Sequence, residues 1–335
     1  MSPKQHRPAT IIEVAKLAGV SPSTISRVLN GTAVVAPETA QRVREAIDQL
    51  GFSPHPAARQ LVMNRTNMIG VLLQEISGAF FPPMLKGIEA GVREAGYDLL
   101  IYSRQNEQAS VRFGEHSVDG LIIFAGSMDE ASLRRYYERE FPVVLLHQTP
   151  PPDCPYPFVT VENKSGAEML VSHMIEVHHR RRIVYLQGPE NHEDSHWRER
   201  GYREALQAHN IAFDPALIAS GGFDEVEAGD AIENLLLDGV EFDAVFAGDD
   251  DAAVGVIAAL KQAGRSVPQD VSVVGFDDVP FSRYISPPLT TVRAPIEQVG
   301  RTAVQLLVKC LRNQPCEAEV LLPTELVIRQ SCGCE

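Results

Sequence analysis

Residues 10–31 read TIIEVAKLAGVSPSTISRVLNG, and this stretch decides the fold of the N-terminal part of the chain. Thr10 followed three residues later by Glu13 is a capping box, which predicts that a helix begins here. Apolar residues then recur at helical spacing, and Gly19 stands where this helix must end and the chain must turn. Ser21 can cap a second helix that starts immediately afterwards. The stretch therefore predicts a helix-turn-helix, in which the turn sets the angle between two short helices.

A third helix is predicted over residues 37–50, because apolar residues again recur at helical spacing and Gly51 stands at its end. Ala36 precedes this helix and has no side-chain group that could cap it. Three short helices of this kind can pack into a small independent unit. The residues expected on the inward face of the third helix are Val43, Ala46, Ile47 and Leu50.

The second helix presents a polar face that suits DNA. In a DNA-binding helix-turn-helix this helix lies in the major groove, with its N-terminal residues at the base edges. Arg27 can contact guanine through two hydrogen bonds, whereas Thr24, Ser26 and Asn30 suit phosphates. The alternative left open is an αα-hairpin with a polar surface and no DNA partner. The residues of the three helices expected to contact DNA are Thr10, Ser21, Pro22, Ser23, Thr24, Ser26, Arg27 and Asn30.

Charge is unevenly distributed along the 335 residues. The whole chain carries a net charge of −14, which taken alone argues against a nucleic-acid partner. Residues 1–65, however, hold eight Lys or Arg and four Asp or Glu, a net +4, so that the remainder carries −18. A basic module on an acidic body concentrates the attraction to DNA at one end of the chain. We therefore expect a single DNA-facing module.

The N-terminal sequence resembles the opening signature of the lactose-repressor (LacI/GalR) family of bacterial transcription regulators. The similarity is carried by TIxEVAxxAGVS at residues 10–21 and by TISRVLN at residues 24–30. Residues 51–61, GFSPHPAARQL, are similar to the hinge of that family. The resemblance implies a hinge that becomes helical only on operator DNA, where a leucine from each of two subunits wedges into the minor groove. The hinge residues that the resemblance assigns to DNA contact are His55, Ala58 and the wedging Leu61.

Beyond residue 67 the pattern changes to short apolar runs that alternate with helical periodicity, which is typical of βαβ units in parallel sheets. Two such sets predict an α/β core with two doubly wound parallel sheets and a ligand site where their strand ends face each other. Strands are expected at 69–73, 98–102, 121–124 and 143–146 in the first set, and at 183–186, 244–247 and 271–275 in the second. Helices of the second set are expected at 164–177, 197–209, 226–237 and 252–263.

This core is similar to the effector-binding core of the LacI/GalR family, which has the type I periplasmic-binding-protein fold. The resemblance implies three crossings between two lobes, near 160–164, 287–294 and 315–322. One departure concerns Ser103 to Val118, which only fourteen residues separate where the family has a full helix. We expect the dimer surface to differ there. The predicted domains are a headpiece at 1–53, a hinge at 54–66 and a core at 67–335, with an N-lobe at about 67–161 and 291–318 and a C-lobe at about 162–289 and 319–332.

The resemblance also implies an effector pocket. Arg198 stands at the position of the family's ligand-binding arginine, whose planar guanidinium can hold two hydroxyls or a carboxylate. Asp249 and Asp277 each follow a buried strand and stand where the family places acceptors for ligand hydroxyls. One arginine with carboxylates and aromatic rings favours a neutral polyol, a mono- or disaccharide, with a nucleoside or nucleobase as the second choice. The predicted pocket comprises Phe80, Phe81, His147, Trp197, Arg198, Asp249 and Asp277.

Neighbouring acidic residues have structural interpretations. Asp278 is expected to be a helix cap or a structural acceptor, and Asp250 with Asp251 a charge pair at a helix N-terminus. The competing function is an enzyme in which these clusters hold Mg²⁺, which leaves the headpiece unexplained. The sequence contains no nucleophile elbow, phosphate loop or zinc-helix motif that would support catalysis. We therefore expect a regulator and not an enzyme, without a cofactor or a metal.

The remaining expectations concern partners and compartment. We expect a homodimer that binds a pseudo-palindromic double-stranded operator and a small effector. Neither a signal peptide nor an apolar run of about 20 residues is present, which predicts a cytoplasmic protein without a membrane partner. The five cysteines suggest no disulfide framework. We interpret Cys332 and Cys334 as frayed terminal thiols, and residues 178–182, HHRRR, as a basic turn between a helix and a strand, each in preference to a metal site.

Overall fold

The computed structural model describes residues 9–30, 34–52, 65–74, 76–103 and 117–334. The chain divides into two compact units, Met1–Thr66 and Asn67–Glu335. Each unit is considered by itself below. The predicted hinge contacts His55, Ala58 and Leu61 lie outside the described residues, and so does most of the segment between Ser103 and Val118.

The first unit contains the three predicted helices, α1 (Ile11–Ala18), α2 (Pro22–Asn30) and α3 (Pro37–Leu50). The Thr10 hydroxyl accepts a hydrogen bond from the Glu13 backbone, and the Glu13 carboxylate accepts one from the Thr10 backbone, so the capping box is confirmed. The Ser21 hydroxyl accepts from the Thr24 amide at 3.2 Å, which caps α2. Gly19 adopts the left-handed conformation with φ 66°, which allows the tight turn.

A small apolar core holds these helices together. Val14 of α1, Ile25 of α2 and Val43 of α3 are fully buried. Leu50 is 37% exposed, so the prediction that it faces inward is wrong. The reason is its place in the last turn of the 14-residue α3, which packs against an α1 of only eight residues. Ala36 makes no side-chain hydrogen bond to the start of α3, as expected.

The second unit is built on two parallel sheets, which confirms the predicted fold class. The larger sheet has six strands, which are β1 (Met68–Leu73), β2 (Asp98–Ser103), β3 (Gly120–Phe124), β4 (Val143–Leu146), β5 (Phe158–Val161) and β11 (Glu319–Leu322). Their spatial order is β11-β5-β4-β3-β1-β2, and every described pair is parallel. The helices of this lobe are α4 (Phe81–Ala95), α5 (Glu130–Glu138) and α10 (Ile296–Leu311).

The smaller sheet forms the second lobe. Its strands are β6 (Ile183–Gln187), β7 (Ile218–Ser220), β8 (Ala244–Ala247) and β9 (Ser272–Val274), in the parallel order β7-β6-β8-β9. Its helices are α6 (Asn163–His178), α7 (Glu193–Ala208), α8 (Glu225–Leu237) and α9 (Asp250–Gln262). Each of these helices was predicted within a few residues of its observed bounds.

The C-terminal part of the chain differs from the prediction. β10 (Thr291–Arg293) and β12 (Glu325–Val327) form a separate two-stranded antiparallel sheet. β11 pairs with β5 in the larger sheet, so the chain leaves this lobe after Leu322 and not within the predicted segment 315–322. Cys332 is fully buried at the end of a short 3-10 helix, Gln330–Cys332, so the interpretation of frayed terminal thiols is wrong. Other 3-10 turns span Pro215–Leu217 and Pro280–Arg283.

Several helix pairs pack through glycine. A Cβ on Gly300 of α10 would overlap the carbonyl oxygen of Met84 in α4, and one on Gly87 would overlap that of Glu297. Gly255 of α9 is in the same position relative to the Glu225 carbonyl oxygen of α8. The absence of a side chain therefore allows these backbones to approach closely. Among the helices described, none has the length and hydropathy of a membrane span.

Candidate functional site

The polar face of α2 is the candidate DNA-reading surface of the first unit. Pro22, Ser23 and Arg27 are exposed on this helix, and Thr24 and Ser26 are half-buried. The Ser21 hydroxyl lies 2.7 Å from the Ser23 hydroxyl and 2.9 Å from that of Thr24, so it serves first as the helix cap. The side chain of Asn30 is not among those described. The exposed side chains at the start of α2 fit a recognition helix whose N-terminal residues contact the base edges of DNA.

A cavity of about 130 Å³ lies between the two lobes of the second unit. The loop before α4 and the ends of β1 and β3 form one side, and the start of α7, the loop after β7 and the ends of β8 and β9 form the other. The carboxyl ends of parallel strands therefore face each other across it, as expected for an open α/β fold. The lining residues are Gln74, Ser77, Gly78, Phe80, Phe81, Phe124, Pro189, His192, Asp194, Arg198, Phe223, Asp249, Asp251 and Asp277.

Arg198 is held rigidly in this cavity. It is only 2% exposed, and its Nε donates to Asn163 Oδ1 at 2.9 Å. Its Nη1 donates to the Gly248 carbonyl oxygen at 2.7 Å and its Nη2 to Asp277 Oδ1 at 3.0 Å. The guanidinium carbon lies 3.8 Å from the centre of the Phe276 ring. Three acceptors and a stacked ring fix the guanidinium plane, and two of its five N–H groups have no acceptor among the described residues.

A buried chain of hydrogen bonds connects the lobes beside the cavity. His147 follows β4 of the larger sheet, and its Nδ1 donates to Asp194 Oδ2 of α7 at 2.7 Å. Asp194 Oδ1 accepts from Asn163 Nδ2 at 2.8 Å. Because Asn163 also accepts from Arg198, the chain of hydrogen bonds extends from the larger sheet to the arginine in the cavity. Nearby, the Thr149 amide and hydroxyl donate to the Glu193 carboxylate at 2.9 and 2.7 Å.

The carboxyls in the cavity differ in their affinity for protons. Burial raises the pKa of Asp249 well above its ordinary value, and the nearby Asp277 carboxyl adds to this effect. Burial also raises the pKa of Asp277, although Arg198 opposes the shift. Burial would raise the pKa of Asp194 too, but His147 and Arg198 outweigh it and hold that pKa far below its ordinary value. The cavity thus combines an ionised carboxylate and a cation with carboxyls that resist ionisation.

Two buried nitrogen atoms in or beside the cavity lack hydrogen-bond partners among the described residues, His192 Nδ1 and His147 Nε2. Burial lowers the pKa of His192, which favours the neutral ring. A neutral imidazole can accept one hydrogen bond and donate another. A hydroxyl-bearing ligand could supply the partner of His192, which lines the cavity.

Two predicted pocket residues lie elsewhere. Trp197 is 43% exposed and does not line the cavity, because consecutive residues of α7 point about 100° apart and Arg198 takes the inward position. His147 lies behind the Phe80 and Phe124 rings, with ring centres 5.4 Å from each, and reaches the cavity only through Asp194. Phe80, Phe81, Asp249 and Asp277 line the cavity together with Arg198.

Asp249 and its neighbours have structural contacts as well. Asp249 Oδ1 accepts from the Ala252 amide at 2.8 Å and caps α9. The interpretation of Asp250 with Asp251 as a charge pair is wrong for Asp250, because this carboxyl is buried and accepts from Val279, Ser282 and Thr291; burial also raises its pKa to about 8. Asp278 is a structural acceptor, since its two oxygens accept from Arg293 at 2.8 Å and from Arg329 at 2.5 Å.

Nine residues that line the cavity were not predicted, and they are Gln74, Ser77, Gly78, Phe124, Pro189, His192, Asp194, Phe223 and Asp251. His192 and Phe223 lie in segments that follow strand ends, so the rule that ligands bind at the carboxyl ends of parallel strands could have indicated them. Nothing in the local sequence distinguishes Asp194 from an ordinary acidic residue in the first turn of a helix. Asp277 also borders a wider groove of about 860 Å³, whose lining includes Lys86, Asp278, Arg283 and Arg293.

Two family models match the chain. The model described as bacterial regulatory proteins, lacI family, matches residues 10–55. The model described as a periplasmic binding protein-like domain matches residues 171–332. The match at residues 10–55 covers α1, α2 and α3, and the second match covers all four strands of the smaller sheet and most of its helices.

Relatives match over nearly the whole length. The HTH-type transcriptional repressor PurR of Aliivibrio fischeri (strain MJ11) is 32% identical over 333 residues, which cover 96% of this chain and 98% of the relative. The HTH-type transcriptional regulator CelR of Thermobifida fusca is 31% identical over 339 residues, covering 98% and 99%.

Solved structures agree with these matches. A transcriptional regulator CelR–cellobiose complex is 29% identical with a TM-score of 0.73, covering 97% of this chain and all of that one. The Lac repressor dimer bound to operator and the anti-inducer ONPF is 25% identical with a TM-score of 0.84, covering 97% and 99%.

Proposed function

Because the chain belongs to the LacI family of bacterial regulatory proteins, it is a DNA-binding transcriptional regulator, and we propose that it is a repressor controlled by a small neutral sugar. The sugar binds in the cavity between the lobes of the second unit, and the first unit binds operator DNA. The observation that carries the proposal is the fixed guanidinium of Arg198 among carboxyls and aromatic rings.

The composition of the cavity supports a polyhydroxyl compound. Carboxyl oxygens of Asp194, Asp249 and Asp277 can accept from ligand hydroxyls, Arg198 can donate to others, and a neutral His192 can donate or accept. Aromatic rings of Phe80 and Phe223 offer apolar faces on which a sugar ring can pack. An anionic effector is disfavoured, because one guanidinium faces several carboxyls.

The volume of the cavity supports a compact ligand. Ligand pockets commonly measure about 300–1,000 Å³. At about 130 Å³ this cavity is smaller and better suited to one sugar ring than to two. A flat nucleobase, the second candidate, would stack on the same rings but would leave more of the carboxyl oxygens unpaired.

Control of DNA binding follows from differential affinity. A ligand can shift a conformational equilibrium only by as much as its affinities for the two states differ. Contacts from both lobes to one compound favour the closed arrangement of the cavity over an open one. We propose that two chains form a homodimer on a pseudo-palindromic operator, and that this closure changes the operator affinity of the pair. Location in the cytoplasm stays a prediction from the sequence.

The proposal is tested with a panel of neutral monosaccharides, disaccharides, sugar phosphates and nucleosides titrated calorimetrically into the purified chain. We expect one monosaccharide to bind and to change operator affinity in the same preparation. Arg198→Lys should weaken its binding by roughly 1–3 kcal/mol, since an ammonium cannot reproduce a guanidinium held by three acceptors.

Arg200→Lys is the matched control. Arg200 lies on the same helix with its side chain 61% exposed and paired to Glu204, so this variant should bind the sugar as the unsubstituted chain does. Binding restricted to nucleosides, or equal losses in both variants, would contradict the proposed sugar site. Circular dichroism of each variant verifies that it is folded.

A further inference from the structure

Four side chains with metal-binding atoms meet where the end of the chain packs against α6. They form a group that we name the His–Cys cluster, consisting of His173, His178, Cys332 and Cys334. One ligand atom of each residue lies within 4.8 Å of every other. Cys334 Sγ is 3.3 Å from His178 Nε2 and 3.6 Å from His173 Nε2, and Cys332 Sγ is 3.8 Å from His173 Nε2.

These separations match the edges of a zinc coordination sphere. Zinc binds cysteine sulfur at about 2.3 Å and histidine nitrogen at about 2.0–2.1 Å, in tetrahedral geometry at structural sites. Two such bonds at the tetrahedral angle place sulfur and nitrogen about 3.6 Å apart. We propose that the His–Cys cluster binds one Zn²⁺ ion per chain. A tetrahedral set of two thiolates and two imidazoles is typical of zinc sites.

The local structure presents the two cysteines to the helix. Cys332 is fully buried, and its carbonyl oxygen accepts from the Ser272 hydroxyl at 2.7 Å, which anchors it to β9. Gly333 has φ +114°, and a Cβ there would lie 3.0 Å from His178 Nδ1. Glycine at this position lets the chain turn against the histidine, so that the two cysteines on either side face α6.

The helix contributes its ligands from its last turns. His173 and His178 are five residues apart, a spacing found in zinc sites. His178 is the final residue of α6, and the chain continues there with His179 in the left-handed conformation, φ 55°. The two imidazole rings are 5.2 Å apart between centres and nearly perpendicular, which leaves both Nε2 atoms free to approach one ion.

The ion would act structurally and not catalytically. Four protein ligands complete a tetrahedral zinc sphere and leave no position for water or substrate. The Thr290 hydroxyl lies 3.1 Å from Cys332 Sγ and can donate to a thiolate there, as outer groups at zinc sites commonly do. Zinc would therefore fasten the C-terminal segment to α6 and to the loop before β10, and raise the stability of the smaller lobe.

Cobalt substitution tests the proposal on the full chain. After chelator treatment and reduction of the five cysteines, Co²⁺ alone is added and then displaced with Zn²⁺. We expect one equivalent of Co²⁺, the intense visible bands of a tetrahedral thiolate site, and full displacement by Zn²⁺. Zinc should also protect Cys334, the less buried of the two thiols, from alkylation, as identified by peptide mass spectrometry, and raise the midpoint of thermal unfolding.

Two variants decide the assignment. Cys334→Ser should weaken cobalt binding by more than about 100-fold, because loss of even an outer partner costs a zinc site about 10- to 100-fold. His173→Gln should do the same while retaining both thiols. The double variant Cys310→Ser with Cys316→Ser is the matched control, since these sulfurs are 3.6 Å apart but belong to no metal-binding group found among the described residues.

The proposal is overturned if the reduced chain takes up less than a tenth of an equivalent of Co²⁺, or if the control variant loses the bands. It is also overturned if Cys334→Ser binds as the unsubstituted chain does. A Cys332–Cys334 disulfide that reforms in air, with no cobalt spectrum after reduction, would assign the pair to thiol oxidation instead.

Discussion

At the scale of single residues, Asp250 is a buried carboxyl with a full set of donors. Its Oδ2 accepts from the Val279 amide at 2.9 Å and the Ser282 hydroxyl at 2.5 Å, and its Oδ1 lies 2.5 Å from the Thr291 hydroxyl. Burial raises its pKa from 3.8 to about 8. Between these values the folded state holds a proton that the unfolded state has released. The contribution of Asp250 to the free energy of unfolding therefore falls as pH rises, by about 1.4 kcal/mol per unit at most.

Asp250→Asn should remove this pH dependence. An asparagine keeps one oxygen for Val279 and Ser282 and turns its NH₂ group towards the Thr291 oxygen, without a charge to bury. We expect the variant to exceed the unsubstituted chain in stability at pH 8.5 and to lose less stability between pH 5 and 8.5. Urea unfolding at the two pH values measures this. Asp270→Asn, at an exposed position, is the control, and equal pH slopes for all three proteins would contradict the assignment.

Arg27 tests base reading by the first unit. Its side chain is exposed on α2, so Arg27→Ala should leave the fold intact and lower the affinity for a selected operator by roughly 1–3 kcal/mol. The operator is obtained by selection from random duplexes, and affinities are compared by fluorescence anisotropy at one salt concentration. Arg44→Ala, exposed on α3, removes the same charge from the same unit. An equal loss of affinity for unselected DNA would contradict a base contact.

Residue roles were predictable where a position has a local signature. The capping box at Thr10 and the stop at Gly51 follow from residue type and spacing alone, and both are confirmed. Arg198 was indicated by resemblance to a family, but its three fixed acceptors depend on residues 35 to 79 positions away. The misplacement of Trp197 has a simple cause, because adjacency in sequence on a helix separates side chains by about 100°.

At the scale of elements, the contact between α4 and α10 depends on glycine. Gly300→Ala would place a Cβ against the Met84 carbonyl oxygen of the facing backbone, which cannot give way as a side chain could. We expect a loss of about 1–3 kcal/mol in the free energy of unfolding, the usual cost of overpacking. Chemical denaturation followed by circular dichroism measures it.

Gly229→Ala is the opposite control. Gly229 lies within α8, and the nearest atom to an added Cβ would be 3.6 Å away, an ordinary contact. Alanine is a better helix former than glycine, so this variant should gain about 0.5–1 kcal/mol. A gain in the free energy of unfolding in both variants would mean that α4 and α10 can move apart without cost.

Elements with a strong local pattern were predictable and those without one were not. The predicted strand at 143–146 agrees with β4 because it is an unbroken apolar run, and the predicted helix at 226–237 agrees with α8 because it has helical periodicity. β7 and β10 have three residues each, too few for any periodicity to show. β11 was missed because it is an edge strand with mostly exposed residues. Its sequence therefore lacks the strong apolar run that marked the buried strands.

At the scale of the whole molecule, charge and function divide at the same place. Residues 1–65 carry a net +4 and the rest −18. A fragment of residues 67–335 should therefore bind the effector with unchanged affinity and show no DNA binding, whereas the full chain should bind DNA with an affinity that falls as salt rises. Calorimetry and anisotropy on both proteins measure this. DNA binding by the fragment would show that the acidic unit holds a second nucleic-acid surface.

The two-sheet architecture was predictable because alternating strands and helices admit few topologies. The bounds of the lobes were harder to predict, since β11 rejoins the larger sheet more than 150 residues after its neighbour β5. The same distance in sequence separates His173 from Cys332, and no spacing rule brings such residues together. Sequence patterns thus predict elements and class, while contacts between distant segments require the folded chain.

The buried bond between His147 and Asp194 also bears on the rate of ligand release. Together with the contacts from Thr149 to Glu193 it joins the two lobes beside the cavity, so lobes that separate must break these bonds. If the proposed effector leaves by that separation, release is governed by the protein, and effectors of different affinity should have similar residence times. After the effector is withdrawn, the operator would then stay in one state for a time set by these bonds between the lobes.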